Sequence, residues 1–228
     1  MRNANSRAIG WLAPVAACAI GAVGTQVDAA GPVAASLRFD TVFATRGEPH
    51  RLHYVVAYRG RDGVHRLEIW RDGDTRLKRV TDRRVTTLVT HAPHDADFIM
   101  QVIDPQKHTS TRIDRASLYR IGNFTDWFDL AHGIRHPRMS YRLVARPPLG
   151  SMPKTPVACR WYAMDEANRT TSICWDETDA VPLLIATGPG HPVWRVLSID
   201  KAPFRPDTFQ PDDRGYIHDD ATRDIAND

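Results

Sequence analysis

The sequence RLHYVVAYR, from Arg51 to Arg59, carries the clearest structural signal in the chain. Apolar residues lie at every second position, and a period of two predicts a β-strand with one strongly apolar face. A Gly-Arg-Asp-Gly turn and a second alternating run follow directly, so the stretch predicts an antiparallel hairpin. The apolar face of its first strand consists of Leu52, Tyr54, Val56 and Tyr58.

Further strands are predicted between short turn signals along the chain. Asp72-Gly73 is a strong hairpin signal because both residue types accept a positive φ. Regular spacing without intervening helices indicates an antiparallel meander in the first half. The further strands are predicted at Val64–Arg71, Arg76–Thr81, Val85–His91, Asp97–Asp104, Thr109–Ile113, Val157–Met164, Thr170–Asp176, Val181–Thr187 and Val193–Asp200.

Two short helices are predicted after the first group of strands. Asp114 is a good N-cap for a helix over Arg115–Ile121. Thr125 is a similar cap for a helix over Asp126–His132, which the following glycine ends. The strand at Phe98–Ile103 is apolar on both faces, so each side of the sheet needs a cover there. We therefore expect a strand-rich α+β fold, with about six strands packed against two helices.

Composition is typical of an ordinary globular domain. The 228 residues are 42% hydrophobic and 25% charged, and three cysteines are too few for a disulfide framework. Thirty basic and 27 acidic residues give a net charge of +3, which lacks the strongly basic balance of nucleic-acid-binding domains. We therefore expect no nucleic-acid partner.

A basic segment followed by an apolar run opens the chain. Two arginines precede the uncharged stretch Ala8–Gly24, and Val27-Asp28-Ala29 offers small residues at both positions that a signal peptidase reads. We expect residues 1–29 to be a signal peptide that directs the mature chain, from about Ala30, to the periplasm. The alternatives are a short retained membrane anchor and lipidation of Cys18, because the preceding Val-Ala-Ala resembles a bacterial lipobox. Only these alternatives would give the protein membrane contact.

Charge is distributed unevenly between the body and the C-terminal segment. Between Pro203 and Asp228 seven acidic and three basic residues give a net charge of −4, which leaves +6 for the expected domain at residues 30–202. We expect this Pro- and Asp-rich tail to be solvated and partly frayed. The alternative is an acidic strap that lies over a basic patch of the body.

Cys159 and Cys174 lie on two predicted strands joined by Asp165–Asn168. If those four residues form the loop, Met164 faces Arg169, and the same register places the two cysteines opposite each other. Opposed strand residues lie within the distance that a disulfide spans, so we expect a bridge that contributes on the order of 3 kcal/mol.

Signatures of catalysis and of metal binding are weak. The nucleophile-elbow, phosphate-loop, dinucleotide-binding and zinc-protease patterns do not occur, and we expect a non-enzymatic protein without a cofactor. A hydrolase whose residues meet only in the fold is an alternative. We expect no metal at any of three histidine pairs. The first pair points to opposite faces of a strand, the second flanks a proline, and a helix end lies between the members of the third. These pairs are His50 and His53, His91 and His94, and His132 and His136.

Three features of the mature chain resemble one superfamily of exported proteins. They are the meander from Leu37 to Ile113, the sequence VIDPQK at Val102–Lys107 and the helical segment Asp114–His132. The chain is similar in these features to the periplasmic lipoprotein carriers, which include the outer-membrane lipoprotein chaperone, its receptor and a lipid-sensing anti-sigma-factor regulator. Ile103 stands where that superfamily commonly has an aromatic residue. The resemblance implies an incomplete β-barrel whose concave face, covered by short helices, holds acyl chains.

From this resemblance we expect a binding protein for a lipid, an acylated protein or another apolar ligand. The alternative is a closed core in a structural or regulatory domain that engages an envelope protein, and residue types alone do not separate the two. The residues expected to contact a ligand are Leu52, Tyr54, Val56, Tyr58, Leu67, Ile69, Phe98, Met100, Val102, Leu118, Trp127, Phe128 and Leu130.

Overall fold

One open β-sheet organises residues 35–92, 95–120 and 125–226, which are the residues described in the computed structural model. No helix among them is long and apolar enough to cross a membrane. The described helices are α1 (Phe39–Val42), α2 (Arg115–Arg120), α3 (Trp127–His132) and α4 (Ala221–Ala226). The strands are β1 (Arg51–Arg59), β2 (Val64–Asp72), β3 (Arg76–Thr81), β4 (Val85–His91), β5 (Phe98–Asp104), β6 (Thr109–Asp114), β7 (Tyr141–Ala145), β8 (Arg160–Glu166), β9 (Arg169–Asp176), β10 (Val181–Ala186), β11 (Pro192–Asp200) and β12 (Ile217–Asp220).

The sheet consists of two antiparallel meanders that meet at β1 and β11. Its strand order is β12-β6-β5-β4-β3-β2-β1-β11-β10-β9-β8-β7. Every neighbouring pair is antiparallel except β12 and β6, which run parallel. The strand-rich α+β class and the six-stranded meander of β1 to β6 are thus confirmed, and the four strands predicted after it correspond to β8 to β11, whereas β7 and β12 were not predicted. The long-range pairing of β1 with β11 joins the two meanders. The parallel strand β12 then completes a sheet of twelve described strands.

The two faces of the sheet carry different covers. On the face that we call the helical face, Leu52, Tyr54 and Leu67 pack in one hydrophobic cluster with Leu118 of α2 and Leu130 of α3. A neighbouring cluster joins α1 to β7, β8 and β9. Alternation along each strand sends the other side chains to the opposite face. Helices α1, α2 and α3 therefore lie on the same face of the sheet.

The observed caps of α2 and α3 agree with the predicted ones except at the start of α3. The Asp114 side chain accepts a hydrogen bond from Ser117 N at 2.7 Å, as expected of the N-cap of α2. Gly133 ends α3 with φ at 69°. The predicted cap Thr125 is wrong, because Asp126 has the extended backbone and its side chain accepts from Asp129 N. The predicted signal peptide, with Cys18, lies outside the described residues, as do Ile121 and His94.

The predicted disulfide is present, but the predicted register is wrong. β8 continues to Glu166, which faces Arg169 across a two-residue turn. Trp161, not Cys159, is therefore directly opposite Cys174. Cys159 precedes β8 and lies two positions farther along the same face, where its Cα is 5.4 Å from that of Cys174. The turn is shorter than expected because Ala167 adopts a positive φ of 51°.

The acidic C-terminal segment is largely exposed to solvent, as expected, but its described part lies against the sheet instead of fraying. Residues 203–216, which we call the strap, connect β11 at the middle of the sheet to β12 at its edge. The Arg76 guanidinium lies 4.7 Å from the ring centroid of Phe209. Asp213 accepts hydrogen bonds from Gln101 Nε2 at 2.8 Å and from Ser110 Oγ at 2.7 Å. The strap thus covers the face opposite the helices.

We predict that Asp213→Ala lowers the free energy of unfolding by about 1–3 kcal/mol, because it removes the acceptor of the buried Ser110 hydroxyl and one of two acceptors of the Gln101 amide. Urea denaturation followed by tryptophan fluorescence measures the change. Asp219→Ala is the matched control, since Asp219 is exposed on β12. Equal unfolding midpoints for the two variants would show that the strap adds nothing through Asp213.

Candidate ligand-binding site

Most residues expected to contact a ligand lie in the hydrophobic cluster beneath α2 and α3. The side chains from β1 and β2 are at most 1% exposed, and they pack directly against residues of β5 and of both helices. The middle of the helical face is therefore filled by protein side chains. This group consists of Leu52, Tyr54, Val56, Leu67, Ile69, Phe98, Leu118 and Leu130.

The other expected residues lie around the margin of that cluster. Tyr58, Met100 and Trp127 are partly buried against it. Phe128 packs instead in the neighbouring cluster, with its ring centroid 6.0 Å from that of Phe39. Val102 is half-buried on β5 and belongs to neither cluster. The expected residues are thus brought onto one face, but they do not enclose one common cavity.

An inner cavity of about 310 Å³ opens beside the cluster, between α3 and the sheet. It includes two of the expected residues, Met100 and Leu130, and its polar wall contains two arginines. Its volume is at the lower end of the range of small-molecule sites. The inner cavity is lined by Arg79, Thr87, Met100, Thr125, Asp129, Leu130, Gly133, Arg135 and Trp194.

An outer cavity of about 770 Å³ lies between the segment after α3 and strands β8, β9 and β10. Gly133 and Arg135 belong to the walls of both cavities. Five large apolar side chains line the outer cavity, and arginines and a glutamate are among its polar residues. The apolar side chains are Ile134, Met139, Met164, Ile173 and Ile185.

The wall between the two cavities depends on Gly133. A Cβ at this position would lie 2.7 Å from the Trp194 ring, and the residue has a left-handed backbone. Trp194 Nε1 donates a 2.8 Å hydrogen bond to Pro182 O, which holds the indole in place. A side chain at position 133 is therefore excluded both by backbone strain and by contact with the indole.

A buried polar network anchors α3 to the sheet. Glu48 Oε2 lies 3.1 Å from Arg71 Nη2 and 2.8 Å from His132 Nε2. Arg71 also donates to the carbonyls of Asp179 and Ala180. The Arg71 and His132 side chains are only 1% and 4% exposed, so their polar groups depend on these partners. The network fixes the end of α3, from which Gly133 and Arg135 reach the cavities.

Tyr54 adds a second connection between α3 and the sheet. Its hydroxyl donates to Ala131 O at 3.4 Å. Burial raises the pKa of Tyr54 to about 12, so the hydroxyl remains a donor throughout the physiological range. Tyr54 thus acts as a packing and positioning residue below the helix rather than as an open ligand contact.

Among the residues that the structure describes, no histidine pair supplies two ligands to a common group that could hold a metal. His132 Nδ1 lies 3.1 Å from Phe128 O, and its other nitrogen contacts the network described above. His91 stacks on Trp127 with ring centroids 4.6 Å apart, while His94 lies outside the described residues. His50 lies 3.1 Å from Asp72 on β2.

His136 instead joins a carboxylate group that could take a cation. Ligand atoms of Asp126, Asp129 and His136 lie within 4.8 Å of one another. Burial, and then the charge of Asp126, raise the pKa of the Asp129 carboxyl. Its Oδ1 also accepts a hydrogen bond from His136 N at 3.1 Å. The spacing His132/His136 did not predict this group, because its carboxylates come from the cap and first turn of α3.

Sequence reasoning missed the charged members of the inner cavity. In β3, Leu77 and Arg79 occupy alternate positions, and Leu77 is completely buried. A charged residue at an inward position of a strand was the available signal. Arg135 and Trp194 offered no such local signal, because α3 and β11 bring them to the cavity from distant parts of the sequence.

Comparison with known proteins assigns no family to this chain. No protein-family model matches the sequence, and no curated protein matches it. The function of the protein is therefore inferred from the geometry of its two cavities.

We predict that Glu48→Ala lowers the free energy of unfolding by on the order of 3 kcal/mol, because it leaves the buried Arg71 guanidinium and His132 without their shared carboxylate. Chemical denaturation at neutral pH measures this loss. Glu177→Ala makes the same chemical change in an exposed ion pair with Arg160, whose expected contribution is at most about 1 kcal/mol. A Glu48→Ala protein as stable as the Glu177→Ala control would contradict the anchoring role.

Proposed function

We propose that this protein is a non-enzymatic binding protein that holds an apolar or acylated ligand on the helical face of its sheet. The observation that carries the proposal is the outer cavity of about 770 Å³ with its five large apolar side chains. Pockets for small ligands have volumes of roughly 300–1,000 Å³ and mainly apolar walls with a few polar groups. The outer cavity fits both criteria.

The side chains of the outer cavity suit a flexible hydrocarbon ligand. Met139 is 59% exposed, and Met164 lies on the sheet across the same cavity. Methionine side chains adapt to irregular apolar shapes because they are unbranched and polarisable. A lipid chain would cover apolar surface that the protein leaves exposed to water.

The proposed ligand lies to one side of the position that the sequence suggested. The residues of β1 and β2 fill the middle of the face, so a chain entering the protein would lie between the segment 133–139 and strands β8 to β10. An open antiparallel sheet with helices on one face supports a half-barrel resembling that of the lipoprotein carriers. The proposal keeps the ligand class of that resemblance and moves its site.

We place the protein in the periplasm as part of the same proposal. The Cys159–Cys174 disulfide is compatible with export, because such bonds persist in oxidising compartments. Partners of this protein would then be a lipid, an acylated protein or another component of the cell envelope.

Native mass spectrometry of the protein purified from its own host tests the proposal directly. We expect adducts with the mass of an acylated compound, and uptake of 1-decanol by the stripped protein in calorimetric titration. Thr171→Trp should weaken decanol binding about tenfold, because the indole occupies the outer cavity.

Ser198→Trp is the matched control, since it adds the same ring at an exposed position of β11. It should bind decanol as the wild type does. An adduct-free protein that takes up no decanol would overturn the proposed function.

A further inference from the structure

Arg79 is a charged residue at an inward position of the sheet. It faces Ile69 of β2 and Thr87 of β4, and it follows the completely buried Leu77 by two residues on the same side of β3. Its guanidinium makes no hydrogen bond or ion pair with any residue that the structure describes. Burial lowers the pKa of the Arg79 guanidinium, because loss of hydration disfavours its charged form. An apolar side chain at this position would destabilise the folded protein less than an unpaired cation does.

A second arginine increases this imbalance. Arg135 lies in the wall of the same inner cavity, and its charge repels that of Arg79. Within the described ranges Arg135 likewise has no carboxylate partner. Two guanidinium groups that share a cavity, and that form no ion pair with a described carboxylate, favour binding of an anion.

The carboxylate in the cavity wall does not supply that anion. Asp129 Oδ1 contacts His136 N at 3.1 Å and His136 Nδ1 at 3.2 Å, and among the described residues it forms no ion pair with either arginine. The hydroxyl groups of Thr87 and Thr125 also belong to the wall and can donate hydrogen bonds. The cavity thus offers donors in excess of acceptors.

We propose that the inner cavity binds the anionic group, a carboxylate or a phosphate, of an amphipathic ligand. Guanidinium groups match both anions with paired hydrogen bonds. Met100, Leu130 and Trp194 provide apolar contacts beside the arginines, and Arg135 also lines the outer cavity. The inference rests on the proposed function: the hydrocarbon chain lies in the outer cavity, and its charged end lies at Arg79 and Arg135.

Titration with matched probes tests this inference on the full chain at pH 7.5. The probes are decanoate, decyl phosphate, 1-decanol and inorganic phosphate. We expect either charged decyl compound to bind at least about tenfold more tightly than decanol, because charge-assisted hydrogen bonds are among the stronger polar interactions. Arg79→Met should remove this preference and leave the affinity for decanol unchanged.

The stability of the same variant separates a ligand role from a structural one. Arg79→Met should raise the unfolding midpoint of the ligand-free protein, because it removes an uncompensated charge from the sheet. A structural arginine would show a loss of stability instead, and that result would overturn the inference. Arg59→Met, at an exposed end of β1, should change neither binding nor stability.

Other outcomes distinguish this inference from the proposed function. Equal binding of decanoate, decyl phosphate and decanol would overturn the anion site and leave the apolar ligand in place. Tight binding of inorganic phosphate that depends on Arg79, without uptake of any decyl compound, would support the anion site and overturn the lipid as its source. A charge preference that persists in both Arg79→Met and Arg135→Met would overturn the assignment to these residues.

Discussion

Backbone hydrogen bonds between β1 and β11 hold the two halves of the sheet together. Six residue pairs, from His53 with Asp200 to Tyr58 with Trp194, join segments that are far apart in sequence, and a bulge follows Val55. Each meander can form its hairpins locally, but neither covers the inner edge of the other until this pairing exists. Trp194 reaches the inner cavity because this pairing sets β11 beside β1.

Short-range features of the fold could be predicted from sequence because they depend on neighbouring residues. Alternation identified β1 to β6, and capping chemistry identified the start of α2 and the end of α3. The β8–β9 register could not be predicted, because Ala167 takes a left-handed conformation that is usual for glycine or asparagine. The pairing of β12 with β6 could not be predicted either. The residues of β12 show little periodicity, and their partners lie more than a hundred positions away.

The candidate site was predicted in part for the same reason. Apolar periodicity identified the correct face of the sheet, and Met100 and Leu130 do line a cavity. It could not distinguish side chains that fill a core from those that border a space, because both environments select the same residue types. The charged residues Arg79 and Arg135 distinguish the space from the core, and they become neighbours only when β3 and α3 pack together.

The helical face therefore combines two environments with opposite requirements. Around Tyr54 and Leu67 it is densely packed, and the buried Arg71 nearby has a carboxylate and two carbonyl partners. Around Arg79 the same sheet presents a cation without such partners. A difference of this kind between neighbouring arginines indicates a binding site more specifically than the total charge of the protein does.

Segments near the two ends of the described chain cover the outer edges of β6 and β7. β12 pairs with β6 at one side, and at the other Leu37 N donates to Leu143 O of β7 at 2.7 Å while Leu143 N donates to Ser36 Oγ. An uncovered edge strand is a template for pairing with another molecule. The terminal segments therefore protect the sheet against edge-to-edge aggregation. A chain that lacked them would be prone to associate through its exposed strands, even if it retained the whole core.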